Sequence, residues 1–380
     1  MVASKSYGVN WHRHWLLETC HQIPPLWTCV TKHLGVTILL HRIWHSSMDS
    51  STTSYLPVLI PCRLASLLCK RHSVSTSIRK KEVATPENVA YNRHHWGLIM
   101  ELHITTLSEN GIGTIGMGNL LAEWGLSILV ETDEVNILLD TGKSISVNNN
   151  ADILGVDLSK IDKIVLSHGH HDHTGGLREV LRKMRKEVEI IAHPDVWAVK
   201  YSRRPERADK FIGIPFQRQE LESLGATFNL TTKSVKITDN IMTTGEIPMV
   251  TDFEEIGPYQ FVKEDTEWQP DKLLDDQALI INTELGLAVI LGCAHRGIIN
   301  TLYHARQLTG VKQIHTVLGG AHLVDASEER LWATIGALRD LGVQRLGLCH
   351  CTSLHAITVI APEFGDSFLF NTTGTSINLP

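Results

Sequence analysis

The sequence has few cysteines, few aromatic residues and no strong excess of charge of either sign. Seven cysteines in 380 residues, without a regular spacing, form no disulfide framework, which favours a reducing compartment and predicts a cytoplasmic protein. Lys and Arg total 35 against 41 Asp and Glu, so the net charge of -6 gives no overall basic surface for nucleic acid. The apolar runs at 34–40 and 56–68 do not indicate membrane spans. We therefore expect neither nucleic acid nor a membrane as a partner.

Glycine is nearly absent from the first quarter of the chain, where residues 1–99 hold three of the 28 glycines. The same segment has 11 Lys and Arg against four Asp and Glu, and it shows no sustained helical or strand periodicity. We interpret it as an N-terminal extension without a stable fold, either a targeting segment or an extension upstream of a start at Met100. Residues 100–380 are then expected to form one catalytic domain, for which the extension is dispensable.

From Met100 onward, strands and helices are predicted to alternate in a regular order. Residues 246–276 are expected to be rich in loops. This order favours an α/β sandwich of two mixed β-sheets packed together, with helices on the outside. The predicted strands lie at 102–106, 126–131, 135–140, 161–166, 188–192, 235–237, 240–243, 278–282, 288–291, 313–317 and 345–348, and the predicted helices at 177–184, 220–224, 298–308 and 327–341.

The polar loop after the strand at 161–166 carries the motif His168-x-His170-x-Asp172-His173. In extended backbone His168 and His170 project the same way, while Asp172 and His173, at the start of a helix, point toward a neighbouring position. We predict that all four bind metal, and that Asp172 also takes part in catalysis. Imidazole and carboxylate ligands suit Zn²⁺, as one or two ions, with Mn²⁺, Fe²⁺ or Mg²⁺ as alternatives.

A site for two ions needs ligands from later in the chain, and three histidines follow predicted strands there. We predict His295 and His350 as metal ligands, because each comes directly after a strand that leads toward the same edge. His322 has the same placement and three open roles: a further ligand, a proton donor to the leaving group, or a substrate contact. We assign it to catalysis.

Other polar residues near these histidines have two interpretations each. Cys293, Cys349 and Cys351 can bind a soft metal, but packing as small apolar side chains is the favoured interpretation. Asp140 ends a predicted strand, where it either forms a turn or hydrogen-bonds a ligand histidine and fixes its tautomer.

These motifs resemble the metallo-β-lactamase fold superfamily, whose signature is a His-x-His-x-Asp-His loop after a strand with an Asp-x-Gly upstream, here Asp140-Thr141-Gly142. Within it the chain is similar to the metal-dependent hydrolase subgroup that includes the dihydropterin ribofuranosylaminobenzene 5'-phosphate synthases. The resemblance implies an αβ/βα sandwich and a dinuclear metal centre. The segments that carry the subgroup resemblance are 125–127, 244–248, 292–295, 319–323 and 350–352.

The chain departs from the superfamily pattern at the expected metal ligands. Thr244-Gly245-Glu246 occupies the place of the usual Gly-His motif, and no bridging Asp follows Leu291. His295 is expected to replace one of these ligands, while Glu246 is either an oxygen ligand or a surface residue. Trp124 stands where a His is expected in relatives, so a substrate contact is expected to differ.

The resemblance implies a metal-dependent hydrolase acting on a phosphorylated or pterin-like small molecule, or a transferase of the synthase type in which the ions bind a pyrophosphate leaving group. The alternatives are a hydrolase of lactones, thioesters or β-lactams, and a non-catalytic metal-dependent sensor or binding protein. Oligomeric state stays open. A group of basic residues would suit a phosphorylated substrate, unless it is a solvated surface; its members are Lys200, Arg203, Arg204, Arg207, Lys210 and Arg218.

Overall fold

The computed structural model describes residues 30–33, 36–39, 101–113 and 118–380. In the first unit of the chain, β1 (Val30–His33) and β2 (Val36–Leu39) form an antiparallel hairpin. Apart from this hairpin, the predicted N-terminal extension lies outside the described residues. The predicted boundary of the catalytic domain therefore stays a prediction.

A seven-stranded mixed sheet forms the first half of the second unit. It contains three antiparallel pairs at one side and three parallel pairs at the other, where the strands alternate with helices. The sequence analysis did not predict the two edge strands of this sheet, Ala226–Leu230 and Ser376–Leu379. In spatial order the sheet consists of β10 (Ala226–Leu230), β7 (Val188–Ala192), β6 (Lys163–Val165), β5 (Asn136–Leu139), β4 (Ser127–Glu131), β3 (Leu102–Ser108) and β18 (Ser376–Leu379).

A five-stranded mixed sheet forms the second half. Its last three strands are parallel and its first two pairings antiparallel. The segments predicted as strands at 235–237 and 240–243 do pair, through an isolated bridge between Lys236 and Met242 and backbone hydrogen bonds that join Ile237 to Ile241 and Thr243 to Val235. The order is β11 (Ile241–Thr243), β14 (Ala278–Thr283), β15 (Gly286–Leu291), β16 (Ile314–Gly320) and β17 (Arg345–Cys349).

The described part of the chain has seven α-helices, of which six pack on the outer faces of the two sheets, while the one-turn helix His171–Thr174 lies in the histidine-rich segment. The helix predicted at 327–341 is present, and Ser327 caps it by accepting a hydrogen bond from the backbone N–H of Arg330. None of the described helices has the length and apolarity needed to cross a membrane. The helices are α1 (Ser146–Leu154), α2 (His171–Thr174), α3 (Leu177–Met184), α4 (Arg218–Ser223), α5 (Ile298–Thr309), α6 (Glu328–Asp340) and α7 (Leu354–Phe364).

Three apolar clusters hold these layers together. One packs α1 and α3 on the outer face of the seven-stranded sheet, and one packs α5, α6 and α7 on the outer face of the five-stranded sheet. The third lies between the sheets and brings Ile128 and Ile137 against Leu279 and Ile290. The predicted αβ/βα sandwich is therefore confirmed.

A third, smaller sheet was not predicted. It joins two segments that are far apart in the sequence, and its four strands pair antiparallel throughout. The expectation that 246–276 would be rich in loops is wrong for residues 260–270, which supply two of the strands. The sheet, called the cap sheet below, has the order β13 (Glu267–Pro270), β12 (Gln260–Glu264), β8 (Lys200–Ser202) and β9 (Lys210–Phe211).

Candidate metal centre

The histidine-rich loop runs from the end of β6 to the start of α2. Two hydrogen bonds from its backbone hold it: the N–H of Gly169 donates to Asp275 Oδ2 at 2.8 Å, and the N–H of His171 donates to the carbonyl of Ile212 at 2.7 Å. A Cβ atom at Gly169 would lie 2.3 Å from the carbonyl oxygen of Val196. Only glycine fits this position without a shift of backbone.

The six predicted metal-binding residues fall into two sets of three. The first set is His168, His170 and His295, and the second is Asp172, His173 and His350; within each set the donor atoms lie within 4.8 Å of one another. In the first set, His168 Nε2 lies 2.9 Å from His170 Nδ1. In the second, the Nε2 atoms of His173 and His350 are 3.2 Å apart. Each set thus joins residues of the histidine-rich loop to one distal histidine.

The first set has buried nitrogen atoms that no described group satisfies. His170 Nε2 and both ring nitrogens of His295 lack a hydrogen-bond partner. Burial, together with the neighbouring histidines, lowers the pKa of His168 and His295 well below the usual value. The rings are therefore neutral, which is the form that binds a metal. Because unpaired buried polar atoms are costly, this donor set fits a cation.

In the second set, Asp140 orients His173. Asp140 Oδ2 lies 2.6 Å from His173 Nδ1 and accepts a hydrogen bond from it, and the same carboxylate accepts hydrogen bonds from the N–H and the hydroxyl of Ser167. This is the tautomer-fixing contact that the sequence analysis weighed against a turn role. Burial lowers the pKa of His173, but Asp140 outweighs it and raises the pKa to about 9. A cation bound at Nε2 would displace the second proton from this ring.

Asp172 is held in its charged form at the floor of the site. Burial alone would raise its pKa, but the His350 and His173 rings reverse that effect and hold the pKa well below the usual value. Trp124 Nε1 donates to Asp172 Oδ2 at 2.9 Å, and the half-exposed Trp124 ring lies 5.3 Å from the ring of His350. The tryptophan therefore hydrogen-bonds the Asp172 carboxylate and leaves a face of its ring open.

Two residues that the sequence analysis missed hold His350. Glu109 Oε1 accepts a hydrogen bond from the backbone N–H of His350 at 2.8 Å, and Asn110 Oδ1 lies 3.0 Å from His350 Nδ1. Both follow directly on β3, and a polar pair after the first strand was the available signal. They fix the ring with Nε2 toward Asp172 and His173.

His322 lies beside the first set, whereas Glu246 lies apart from both sets. The rings of His322 and His295 are 4.0 Å apart, and His322 Nδ1 is buried without a partner among the described residues. Glu246 Oε1 instead lies 3.0 Å from His193 Nε2. The structure does not bring Glu246 to the candidate metal centre, because its loop directs the side chain to His193.

Four residues at this edge of the sheets have left-handed backbone, although none is a glycine. Each directly follows a strand or lies within three residues of its end. Such a conformation costs a non-glycine residue about 1–2 kcal/mol. The residues are Asp140 (φ 59°), Ala294 (φ 49°), His322 (φ 41°) and His350 (φ 55°).

A cavity of about 460 Å³ opens above the two sets. One wall consists of candidate metal ligands and His322, and the cap sheet and the loop around β9 form the other. Arg207 and Lys210 line that wall, and neither has a carboxylate partner among the residues the structure describes. A larger cavity of about 770 Å³ beside the cap sheet contains none of the candidate ligands, so we place the chemistry in the smaller one.

The predicted basic group is only partly available to a substrate. Lys200 is fully buried and its Nζ lies 2.7 Å from Asp271 Oδ2 and 2.9 Å from Asp275 Oδ1. Arg203 and Arg218 form ion pairs with nearby carboxylates. The interpretation of Lys200 as a phosphate-binding residue is therefore wrong, because both neighbouring carboxylates already bind its charge.

Asp276 gives the metal-free protein a pH-dependent weakness. Burial raises its pKa to about 7 from 3.8. Stability from this group is fully present below pH 4 and is lost as pH rises through about 7, because the folded state then holds an unfavourable charge. In chelator-treated protein we expect Asp276→Asn to gain about 2–3 kcal/mol over the wild type between pH 5 and pH 8. Melting temperatures of both proteins at the two pH values test this, and a constant difference would contradict it.

The chain is similar to known proteins over most of the second unit. Residues 125–304 match the family model of the metallo-beta-lactamase superfamily. The chain is 32% identical over 282 residues to 7,8-dihydropterin-6-methyl-4-(beta-D-ribofuranosyl)-aminobenzene-5'-phosphate synthase of Methanocaldococcus jannaschii, covering 72% of this chain and 95% of that protein. It is 30% identical over 259 residues to an uncharacterized protein of the same organism, covering 68% and 94%.

A solved structure of the same superfamily is also similar to this chain. The crystal structure of Tm1679, a metal-dependent hydrolase of the beta-lactamase superfamily, aligns with a TM-score of 0.62 at 27% identity, and the alignment covers 73% of this chain and 99% of that one. The subgroup resemblance that the motifs indicated agrees with the identity to the archaeal synthase. The chain belongs to the metallo-β-lactamase superfamily.

Proposed function

We propose that this protein is a metal-dependent enzyme that acts on a phosphorylated small molecule at a dinuclear centre. The observation that carries the proposal is the cavity of about 460 Å³, which has candidate metal ligands on one wall and, on the other, the cations Arg207 and Lys210, neither of which pairs with a carboxylate of the described residues. A phosphate group can bind the cations while the reacting atoms face the ligands. The mainly imidazole donor set favours Zn²⁺ over Mg²⁺, with Mn²⁺ or Fe²⁺ as alternatives.

Each set of three residues would hold one ion. His168, His170 and His295 offer three neutral imidazoles, and the second set offers a carboxylate with two imidazoles. When bound, the ions supply Lewis-acid polarisation of a phosphoryl or carbonyl oxygen and stabilise negative charge on a leaving group. Asp140, Glu109 and Asn110 keep the rings in place through hydrogen bonds to His173 and His350.

We propose catalytic roles for Asp172 and His322. Asp172 is ionised and accepts a hydrogen bond from Trp124, so it remains in place at the cavity floor as a substrate enters. His322 lines the cavity, where its imidazole can donate a proton to the leaving group. The open face of Trp124 provides an aromatic surface for a flat ring of the substrate.

Two reaction types fit this site, and we favour group transfer. The relative from Methanocaldococcus jannaschii is named for a product that joins a pterin methyl group to an aminobenzene ribofuranosyl phosphate. In such a transfer the carbon–oxygen bond to a pyrophosphate breaks, the amine nitrogen bonds to the carbon, and the amine proton is released. The second candidate is hydrolysis, because Tm1679 is named a hydrolase. Lactones, thioesters and β-lactams remain alternative hydrolytic substrates.

A substrate screen tests the proposal. We expect the metal-loaded full chain to turn over a pterin pyrophosphate together with an aryl phosphate acceptor, or a phosphomonoester or phosphodiester in the hydrolytic case. Product analysis separates transfer from hydrolysis. Turnover confined to lactones or β-lactams would contradict a phosphorylated substrate. Tight ligand binding without turnover, with any of the metals, would indicate the non-catalytic binding protein instead.

The cavity cations give a sharper prediction. We expect Arg207→Met and Lys210→Met each to raise KM for a phosphorylated substrate about 10-fold, because each removes a charge-assisted hydrogen bond worth about 1.4 kcal/mol. Arg218→Met is the matched control, since Arg218 pairs with Glu222 on α4 and does not line the cavity. Steady-state kinetics on the phosphorylated substrate and its dephosphorylated analogue measure the effect. An equal effect on both substrates would overturn the assignment.

A further inference from the structure

We propose that Cys293 is a thiolate ligand shared by the two ions. Cys293 lies two residues after the end of β15 and two residues before His295, and it is 2% exposed. The inference rests on the dinuclear centre proposed above and adds a ligand to it. It also replaces the interpretation of Cys293 as a packing residue.

The position of the sulfur atom carries the inference. Cys293 Sγ lies 3.1 Å from His173 Nε2. It belongs to three groups of potential ligands whose donor atoms lie within 4.8 Å of one another: one with His168 and His173, one with His295 and His322, and one with His350 and Cys351. Among the described residues it alone belongs to three such groups. Since these groups include members of both sets, the sulfur lies between the two candidate ion positions.

Two bound divalent ions would favour a thiolate at this point. Two divalent ions bring four positive charges into a buried site, and the two sets of ligands contain a single carboxylate, Asp172. Buried charge is costly unless it is compensated nearby. A thiolate adds a second negative charge, and a bound metal ion deprotonates a coordinating thiol.

Ligand number favours a shared atom. Zn²⁺ in proteins usually has four ligands, and each set supplies three. One bridging sulfur would complete four ligands on both ions. Substrate atoms could then enter as a fifth ligand, as catalytic zinc allows.

The surroundings of Cys293 differ from those of the other described cysteines. Cys351 Sγ accepts a hydrogen bond from the backbone N–H of His322 at 3.3 Å and approaches the carbonyl of Cys293 at 3.6 Å. Cys349 lies in the apolar cluster between the sheets and contacts Asn371. Cys293 and Cys351 both lie outside the three apolar clusters, but Cys351 shares a ligand group only with Cys293 and His350, whereas Cys293 shares groups with members of both sets. Its side chain therefore meets imidazole nitrogens where a packing residue would meet carbon.

Cobalt substitution tests the ligand. We expect the Co²⁺-loaded full chain to show a near-ultraviolet sulfur-to-cobalt charge-transfer band. Cys293→Ser should remove the band, whereas Cys349→Ser and Cys351→Ser should keep it. Circular dichroism and melting temperature show whether each variant is folded. A band that persists in Cys293→Ser, or that is lost only in Cys351→Ser, would overturn the inference.

X-ray absorption at the zinc edge tests whether the two ions share the sulfur, and it needs only the wild-type protein. A shared thiolate gives one sulfur per zinc at about 2.3 Å, whereas a thiolate on a single ion gives half a sulfur per zinc. The second result, or a shell of nitrogen and oxygen alone, would contradict a bridging Cys293. Metal analysis on the same samples separates the two proposals. Failure to bind two ions would refute the dinuclear centre, while two ions without sulfur would refute only the role of Cys293.

Discussion

We expect His168→Ala and Asp172→Ala each to remove one metal ion and to lower kcat/KM by more than about 100-fold. Residues that only orient a metal ligand already contribute about 10–100-fold, so the loss of a ligand itself should cost more. His168 belongs to the set with His170 and His295, and Asp172 to the set with His173 and His350. Each variant leaves two protein ligands in its own set of three. We therefore expect the two variants to lose different ions. Metal content after dialysis, measured together with steady-state kinetics, checks this.

His171 is the matched control for both variants because it lies in the same loop but in neither set. His171→Ala should retain the full metal content. Full metal content in both His168→Ala and Asp172→Ala would refute the assignment of the site. Loss of both ions from every variant, including the control, would show that the loop had lost its structure.

Lys200→Met should lower the free energy of unfolding by about 3–5 kcal/mol, because it leaves two buried carboxylates without a counterion. Lys200 Nζ contacts Asp271 and Asp275 at 2.7 and 2.9 Å, and all three side chains are buried. In a protein of this size the change corresponds to a fall in melting temperature of roughly 10 °C. Thermal unfolding followed by circular dichroism measures it.

Lys163→Met provides the comparison, since Lys163 pairs with Glu189 where both side chains are partly exposed. An exposed pair of this kind contributes at most about 1 kcal/mol. We also expect Lys200→Met to weaken metal binding, because Asp275 accepts the backbone N–H of Gly169 in the histidine-rich loop. Equal melting temperatures for the two variants would contradict the importance of the buried network.

The two large sheets could be predicted because their strands are apolar and the intervening helices are amphipathic or capped. The run in β15 is buried at every position, and Ser327 marks the start of α6. Two helices were missed for local reasons. The α1 helix contains three consecutive asparagines, which are poor helix formers. The α7 helix contains Ile357, Thr358, Val359 and Ile360 in succession, and such β-branched residues favour strands.

The cap sheet could not be predicted from local pattern. The β9 strand has two exposed residues, and β13 is mostly exposed, so neither shows the alternation that marks a half-buried strand. The cap sheet is formed by pairing residues near 200 with residues near 260. Lys200 was misinterpreted for the same reason, because a lysine in a basic stretch gives no local sign of two carboxylates about 70 residues further along.

The candidate ligands could be predicted because each follows a predicted strand, and parallel strands bring their carboxyl ends to one edge. Their division into two sets could not, since it depends on how the two sheets face each other. The position of Cys293 between the sets depends on the same arrangement. A cysteine after a strand has no sequence feature that separates a packing side chain from a ligand.

The left-handed residues at the strand ends link the site to the amount of protein in a cell. Asp140, Ala294, His322 and His350 together cost the folded chain roughly 4–8 kcal/mol relative to relaxed backbone, an amount comparable with the whole stability of many domains. Ions that bind only the folded form offset this cost by mass action. Without them a larger fraction of molecules is unfolded and open to proteolysis. Metal supply would then set the steady-state abundance of this protein as well as its activity.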